Sequence, residues 1–377
     1  MGTGNMLEAH VHGDSSVTLV SVPIPHVQEP NDIVVRVVCA SCNPKDWKMP
    51  AGLLKTISDC PNSGDDVAGL VHEVGSAVTS CKPGDRVAAL HQLGAPHGAY
   101  AEYALVKDFV TFHIPPKLGW EQAATMPMAT YMACIALFGS LQICAGPWET
   151  VQGSTALLIY GAATGVGSLT VKLAQVAEIH PLLCVAGGGA DFVAGSIDES
   201  KGDVVLDYRK GDEALVQTIK SVLNGQELKY ALDAVSEKLS MGNVSKVLKS
   251  KGGKIALTLP GRAHELSDQL EISHVMAGSL WKKLVGRHEG EQLGNLGVED
   301  GPAFAKTMTS SIEKMLSEGV LAPHPYVVYE GGLIGLERAL RDLRGGRVSA
   351  KRCVIRVIDT PGRHAPDIGD GIRASRR

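Results

Sequence analysis

An apolar run, ALLIY (156–160), leads into Gly161, Ala162, Ala163, Thr164, Gly165, Val166 and Gly167, and then into the helical pattern SLTVKLAQ (168–175). That order suits a diphosphate. A pyrophosphate is held by bare backbone N–H groups at a helix amino terminus, and glycine lets the chain approach it with no Cβ in the way. A glycine-rich string has little weight alone, but this one opens a succession of strand and helix units, the context a dinucleotide site requires. The nucleotide is chosen at the end of the second strand, where an acidic side chain would accept from the ribose 2′-OH of NAD. Gly187, Gly188 and Gly189 stand there instead, and Tyr208, Arg209 and Lys210 follow the third strand, where donors could reach a 2′-phosphate. The pattern favours NADPH. Its alternative is an NAD site in which Asp191 holds a ribose hydroxyl and Arg209 and Lys210 are a solvated loop.

These residues need a scaffold, and the rhythm of the chain supplies one. The chain has 377 residues, enough for two to three domains at roughly 150 each. Glycine is frequent, 43 residues, and aromatics are only 5%, which fits glycine-rich turns around a small-residue core. Up to about residue 130, short β-rich runs such as IVVRVV (33–38), GLVHEVG (69–75) and DRVAAL (85–90) alternate with turn clusters. From Thr155, apolar strands at 156–160, 181–187, 204–208, 230–235 and 254–259 alternate with helical segments. Such an alternation predicts right-handed crossovers and a doubly wound parallel sheet, an α/β fold. After about residue 300 come a helix, AKTMTSSIEKMLSEG, the run HPYVVYE, a helix, LIGLERALRDLRGG, and a last strand, RCVIRVI. The tail from 359 carries no apolar period and is expected to lack structure.

Charge and cysteine usage narrow the partners. Lys and Arg number 36 against 40 Asp and Glu, a formal charge of -4 with no long basic run, so no footprint for nucleic acid or an anionic membrane is present. No apolar stretch approaches the ~20 residues of a membrane span. The eight cysteines are scattered, several in apolar runs, which points to a reducing, cytoplasmic setting.

The segments SCNPKDWK (41–48), GDDVAGLVHEVGSAVTSCKPGDRVAAL (64–90), GAYAEYALV (98–106), AATMPMATYMACIALF (123–138), the phosphate loop and GGLIGLERALRDLRGGRVSAKRCVIRV (331–357) together span nearly the whole chain. In that order they resemble the medium-chain dehydrogenases/reductases of the zinc-independent quinone and enoyl reductase branch. NPKDWK, DYRKGD and the closing HP, GGL and KRCVIRV elements are most similar to fungal trans-acting enoyl reductases, which serve polyketide synthases lacking a working reductase. The resemblance implies a GroES-like β-rich catalytic domain (1–130 and 286–358) with a Rossmann domain (131–285) between its two parts, and it leaves monomer and homodimer open.

Metal can be tested on the sequence. Zinc-dependent relatives carry Gly-His-Glu where this chain has Gly64, Asp65 and Asp66, and no four-cysteine cluster is present, so no metal is expected. Cys39 and Cys42 form a single CxxC, read as the end of a buried strand; His72 and Glu73, neighbours on a strand, point to opposite faces. Without a Lewis acid, reduction of an already polarised double bond is favoured over oxidation of a simple alcohol.

The resemblance also assigns residues. It places Asn43, Lys45, Asp46 and Lys48 beside the nicotinamide, with Lys48 the first candidate to stabilise an enolate, and it gives Thr164, Gly165, Val166 and Gly167 to the pyrophosphate. Gly188 and Asp191 fall to the adenosine ribose, Tyr208 to its phosphate, Leu257 and Thr258 to the nicotinamide side, and Val348 and Ser349 to closing over the cofactor. Asn43 and Asp46 also read as turn formers, and Tyr100 and His91 as further polar candidates or packing groups. Met132 and Trp281 would touch substrate. Two positions depart from the family: Met132 replaces its usual threonine, and Gly188 replaces a serine that binds the 2′-phosphate. The function implied is NADPH-dependent reduction of an α,β-unsaturated thioester carried by a polyketide synthase. A quinone or free enone reductase, and an NADP(H)-binding partner without redox activity, are the alternatives.

Overall fold

The computed structural model describes residues 4–52, 60–259, 266, 269–282 and 300–363. The chain divides into two compact units, Met1–Pro127 with Pro323–Arg377, and Met128–Ala322.

The first unit starts with an antiparallel pair, β1 (Asn5–Val11) and β2 (Val17–Pro23). Strand β3 (Asp32–Cys42) is buried on both faces, and its side chains alternate as a strand must. Ile33, Val35 and Val37 enter the main core of this unit, while Val34 joins Met6, Ala101 and Tyr103 in a smaller cluster on the other side. Cys39 and Cys42 lie buried in β3 as free thiols. The strand runs into α1 (Pro44–Lys48), whose Pro44 fits the first turn because no N–H is needed there. Strands β4 (Asp66–Val74), β5 (Arg86–Leu90), β6 (Tyr103–Lys107) and β7 (Thr111–His113), then α2 (Trp120–Ala124), follow.

The second unit opens with α3 (Pro127–Cys134), which passes into a wider π turn over Ile135–Ser140. Then come β8 (Leu157–Tyr160), α4 (Gly165–Val176), β9 (Leu182–Ala186), α5 (Ala190–Ala194), β10 (Val204–Asp207), α6 (Asp212–Leu223), β11 (Tyr230–Asp233), α7 (Lys238–Ser245), β12 (Lys254–Leu257), β13 (Glu271–His274) and α8 (Gly301–Ser317). Among the described residues the strands form one parallel sheet in the order β10-β9-β8-β11-β12-β13. Between β8 and β11 the strand order reverses direction, and the crevice outside the carboxyl ends at such a point is where doubly wound sheets bind ligands. The glycine-rich turn leaves β8 there.

After α8 come β14 (Tyr326–Tyr329), α9 (Leu336–Arg344) and β15 (Arg352–Arg356). Strand β15 lies antiparallel to β3, with Cys353 opposite Cys42, so this segment completes the first unit's sheet in the order β14-β15-β3-β4-β5-β7, with β6 also on β3. The first unit is resumed at Pro323, later than the residue 286 expected. Helix α8 stays with the second unit because Phe304, Ala305, Met308 and Ile312 turn inward and Thr309 meets the Tyr131 hydroxyl at 2.5 Å. The first residues of the expected structureless tail have partners. Asp359 accepts from Arg356, and Thr360 is buried, donating to the Val357 carbonyl; residues 364–377 lie outside the described residues.

Strands β1, β2, β6, β7 and β13 add to those expected, and they lack a sustained apolar run: β13 is half-exposed along its length. Among the described residues no helix is long and apolar enough to cross a membrane.

Candidate functional site

In the second unit, the turn after β8 is shaped by close approach of main chain to main chain. Gly161 adopts φ 82°, a left-handed conformation that favours glycine. A Cβ on Gly167 would stand 2.2 Å from the Gly161 carbonyl oxygen, so the helix start and the turn touch only because that carbon is missing. Thr164 caps α4 by accepting from the Gly167 N–H at 3.0 Å. The first N–H groups of the helix, at Gly165 and Val166, have no partner within the helix, as at any helix amino terminus. The result is a half-exposed cradle of donors at the positive end of a twelve-residue helix. It fits a diphosphate.

At the end of β9 a Cβ on Gly187 would lie 2.7 Å from the Tyr208 ring, so this glycine seats the tyrosine against the main chain. Tyr208 is 46% exposed, and its ring centroid lies 6.3 Å from that of Tyr160. Gly188 is exposed beside it, and Asp191 is exposed on α5. Arg209 is folded back on Asp207, with Nε–Oδ1 2.9 Å and Nη2–Oδ2 2.7 Å; these hydrogen bonds hold the Asp207 carboxyl down at about 2.

The carboxyl end of β11 carries an arrangement that spacing did not disclose. Asp233 is fully buried and accepts from the Ser236 N–H at 2.7 Å, the Val235 N–H at 3.0 Å and the Ser240 hydroxyl at 2.6 Å. Burial pushes its carboxyl up, against the pull of these donors. Ser236 is thereby held at φ 54°, and its Oγ accepts from the Thr258 N–H at 2.8 Å. Thr258 is fixed by its main chain at the end of β12. The Leu257 side chain is fully buried in the apolar core of this unit, which leaves its main chain for a ligand.

In the first unit, α1 is the floor of a buried polar cluster. Asp46 accepts from the Asn43 N–H at 2.7 Å and from the Tyr100 hydroxyl at 2.5 Å. Lys45 Nζ lies 2.7 Å from Asp46 and 2.6 Å from Asp65, and it also donates to the Ser63 carbonyl. Asp65 in turn meets His91 Nδ1 at 2.9 Å. Alongside, Arg352 donates to Asn43 Oδ1 at 2.7 Å and to Ser41 Oγ at 2.8 Å, and it pairs with Asp66, which also accepts from Asn43 Nδ2 at 2.8 Å. Asp46, Asp65, Asp66, His91 and Tyr100 are all essentially without exposure.

The electrostatics follow from the pairing. Burial alone would pull the Lys45 ammonium down, yet Asp46 and Asp65 hold it above the usual lysine range. Burial would raise Asp65, but Lys45 and His91 bring it below the ordinary carboxylate value. Burial wins at Asp46, which lies above it.

The side chains of Asn43 and Asp46 are turned into the protein, in keeping with the turn-forming reading: Asp46 caps α1 at the Asn43 N–H and holds Lys45, and Asn43 holds Arg352 and Asp66. Lys45 is committed to two carboxylates. Lys48 differs: it is half-buried, lies 5.6 Å from the Trp47 ring centroid, and makes no hydrogen bond or ion pair among the described residues.

Met132 is 9% exposed on α3, and Trp281 is half-buried at the end of a short turn, Ala277–Trp281, while residues 283–292 of its segment lie outside the described residues. Val348 is half-buried and packs partly on the first unit's core, and Ser349 beside it is exposed. Among the described residues no group of three His, Cys, Asp or Glu is arranged to hold a metal ion. The cation between Asp46 and Asp65 is Lys45.

Comparison with known proteins adds to this geometry. A family model described as the alcohol dehydrogenase GroES-like domain matches residues 29–116. Trans-enoyl reductase fsr4 of Gibberella fujikuroi is 38% identical over 331 residues, covering 86% of this chain and 91% of that protein. Trans-enoyl reductase pvhC of Talaromyces variabilis is 28% identical over 350 residues, 88% of this chain and 91% of that one. Among solved structures, an alcohol dehydrogenase superfamily protein from Novosphingobium aromaticivorans superposes with a TM-score of 0.74 at 21% identity, over 94% of this chain and 99% of the other. CurK enoyl reductase gives 0.71 at 16% identity, over 93% and 99%. At these identities the structures show the fold alone.

Proposed function

The chain belongs to the trans-enoyl reductases of the medium-chain dehydrogenase/reductase superfamily, and from that premise we propose that it uses NADPH to reduce the conjugated C=C bond of a polyketide thioester held on a carrier protein. The observation that carries the reading is the cradle at Thr164–Gly167, built to a diphosphate's needs at the reversal point of a parallel sheet, in a chain 38% identical to a trans-enoyl reductase. The first N–H groups of α4 would hold the pyrophosphate, and the Tyr208 ring, seated on Gly187, would stack beside the adenosine. When bound, the reduced nicotinamide supplies a hydride to the β-carbon of the enoyl group. Lys48 is the residue assigned to the negative charge that then develops on the thioester oxygen; its ammonium is the cation of α1 left uncommitted among the described residues. Lys45, Asp46, Asp66 and Arg352 keep α1 rigid beneath it. Free cysteines throughout the described residues support a reducing, cytosolic setting.

Two results are expected from variants. Lys48→Met should lower kcat for a crotonyl pantetheine thioester by about tenfold while leaving the Kd for NADPH within about twofold, because its charge matters once the enolate forms. Stopped-flow reduction and fluorescence titration read the two separately. Arg209→Ser should narrow the preference for NADPH over NADH by about tenfold, since a guanidinium released from Asp207 is a donor for the 2′-phosphate. The reading itself is tested by titrating the protein with each nucleotide and then supplying crotonyl pantetheine thioester or small quinones. Saturable NADPH binding with thioester turnover supports it; turnover of quinones alone would favour the free enone and quinone reductases.

A further inference from the structure

Helix α9 has two faces of different character. Leu336, Ala339, Leu340 and Leu343 turn onto the core of the first unit. Glu337, Arg338 and Arg341 turn the other way and, with Ile334 in the short turn before the helix and Val17 and Leu19 of β2, line an open groove of about 480 Å³. Its apolar component is Val17, Leu19, Leu333 and Ile334, the last 57% exposed.

The rim is positive. The groove's lining holds Arg338, Arg341 and Arg347 against Glu337 and Asp342, an excess of one cation, in a chain whose formal charge is -4. Both carboxylates are already engaged: Glu337 meets Arg341 at 2.9 Å and accepts from the Val17 N–H at 3.0 Å, and Asp342 meets Arg347 at 2.7 Å. Arg344 donates to the Gly13 carbonyl at 3.1 Å. Arg338 is exposed and makes no hydrogen bond or ion pair among the described residues. Helix α9 brings Arg338 and Arg341 to the groove, and the turn after it brings Arg347.

We propose that this groove docks an acidic helical segment of the protein that carries the acyl chain, with an apolar side chain seated between β2 and α9 and carboxylates meeting Arg338 and Arg341. The proposal rests on the reading that the substrate arrives on a carrier. A helix laid in a groove matches the shape, an apolar trough open along one side with charges on its edge. A small anion would need donors converging on one point, whereas these arginines stand on successive positions along a helix and are spread over its rim.

The test uses the full-length enzyme, a crotonyl-loaded carrier domain excised from a fungal reducing polyketide synthase, and crotonyl pantetheine thioester. Wild-type enzyme should prefer the carrier-borne chain by at least about tenfold in kcat/KM. Arg338→Glu and Ile334→Ser, both at exposed positions, should each remove most of that preference through KM and leave pantetheine kinetics within about twofold. Lys314→Glu, which reverses an exposed cation on α8, should leave both unchanged. Anisotropy of a labelled carrier judges docking without turnover. Equal use of the two substrates by the wild type, or a carrier affinity indifferent to Arg338→Glu and Ile334→Ser, would overturn the docking surface while pantetheine turnover still upheld the reductase. Carrier binding lost in both variants with no turnover of either thioester would uphold the surface and remove the reductase reading.

Discussion

Lys45→Met is expected to lower the unfolding midpoint by roughly 6–20 °C at pH 7.5, corresponding to about 3–5 kcal/mol, the usual consequence of removing one partner from a buried charge cluster. Methionine fills much the same volume, so the loss is of charge more than of packing. Asp46 and Asp65, both without exposure, would be left facing each other across the vacated position with no cation between them. The pH dependence has a definite sign. In the wild type Asp65 lies below its unfolded value, so its contribution is full above about pH 4 and is lost as pH falls through its folded pKa. Asp46 lies above its unfolded value and opposes this, favouring the folded state as pH falls. In the variant both carboxyls would be raised, the folded protein would bind more protons than the unfolded chain, and stability would climb as pH falls. The deficit against wild type should therefore shrink between pH 7.5 and pH 5. Thermal melts across that interval check it; a deficit that is constant or grows with acidity would mean that Lys45 acts through packing.

Gly167→Ala is expected to weaken NADPH binding by at least about 100-fold, or about 2.7 kcal/mol. The added carbon would sit 2.2 Å from the Gly161 carbonyl oxygen, a main-chain atom that cannot rotate away. Relief requires the turn to part from the helix, and the donors at Gly165 and Val166 then lose their common aim. Gly242→Ala is the matching control, since a Cβ at that glycine meets nothing within 4 Å. It should bind NADPH as the wild type does. Fluorescence titration measures both, with circular dichroism to confirm that the sheet is kept.

The parallel sheet and its phosphate turn were legible because they are local. A buried parallel strand is a short apolar run, its crossover helix has a 3.6-residue period, and the glycines mark where main chain must approach main chain. The polar cluster under α1 was not legible, for the opposite reason. Arg352 reaches Asn43 across 309 positions of sequence, and nothing in KRCVIRV marks its guanidinium as inward; only the antiparallel pairing of β15 with β3 brings the two together. Asn43 and Asp46 show the ambiguity directly, since one spacing suits both a cap and a ligand contact, and burial decides for the cap. Asp233 gave no signal because aspartate at a strand end is common, and its partners Ser236 and Ser240 lie in the following turn and helix. The Asp65–Lys45 pair was half visible: Gly64-Asp65-Asp66 marked the segment, but only the fold brings Lys45 to it.

The most direct measurement of the central claim is label transfer. The protein is supplied with NADPH carrying deuterium at the transferable C4 position and with crotonyl pantetheine thioester, and the saturated product is examined by mass spectrometry and NMR. One deuterium on the β-carbon, with the α-carbon proton drawn from solvent, is the expected result. A product without deuterium, or NADPH that stays bound and unoxidised beside every enoyl thioester offered, would contradict it.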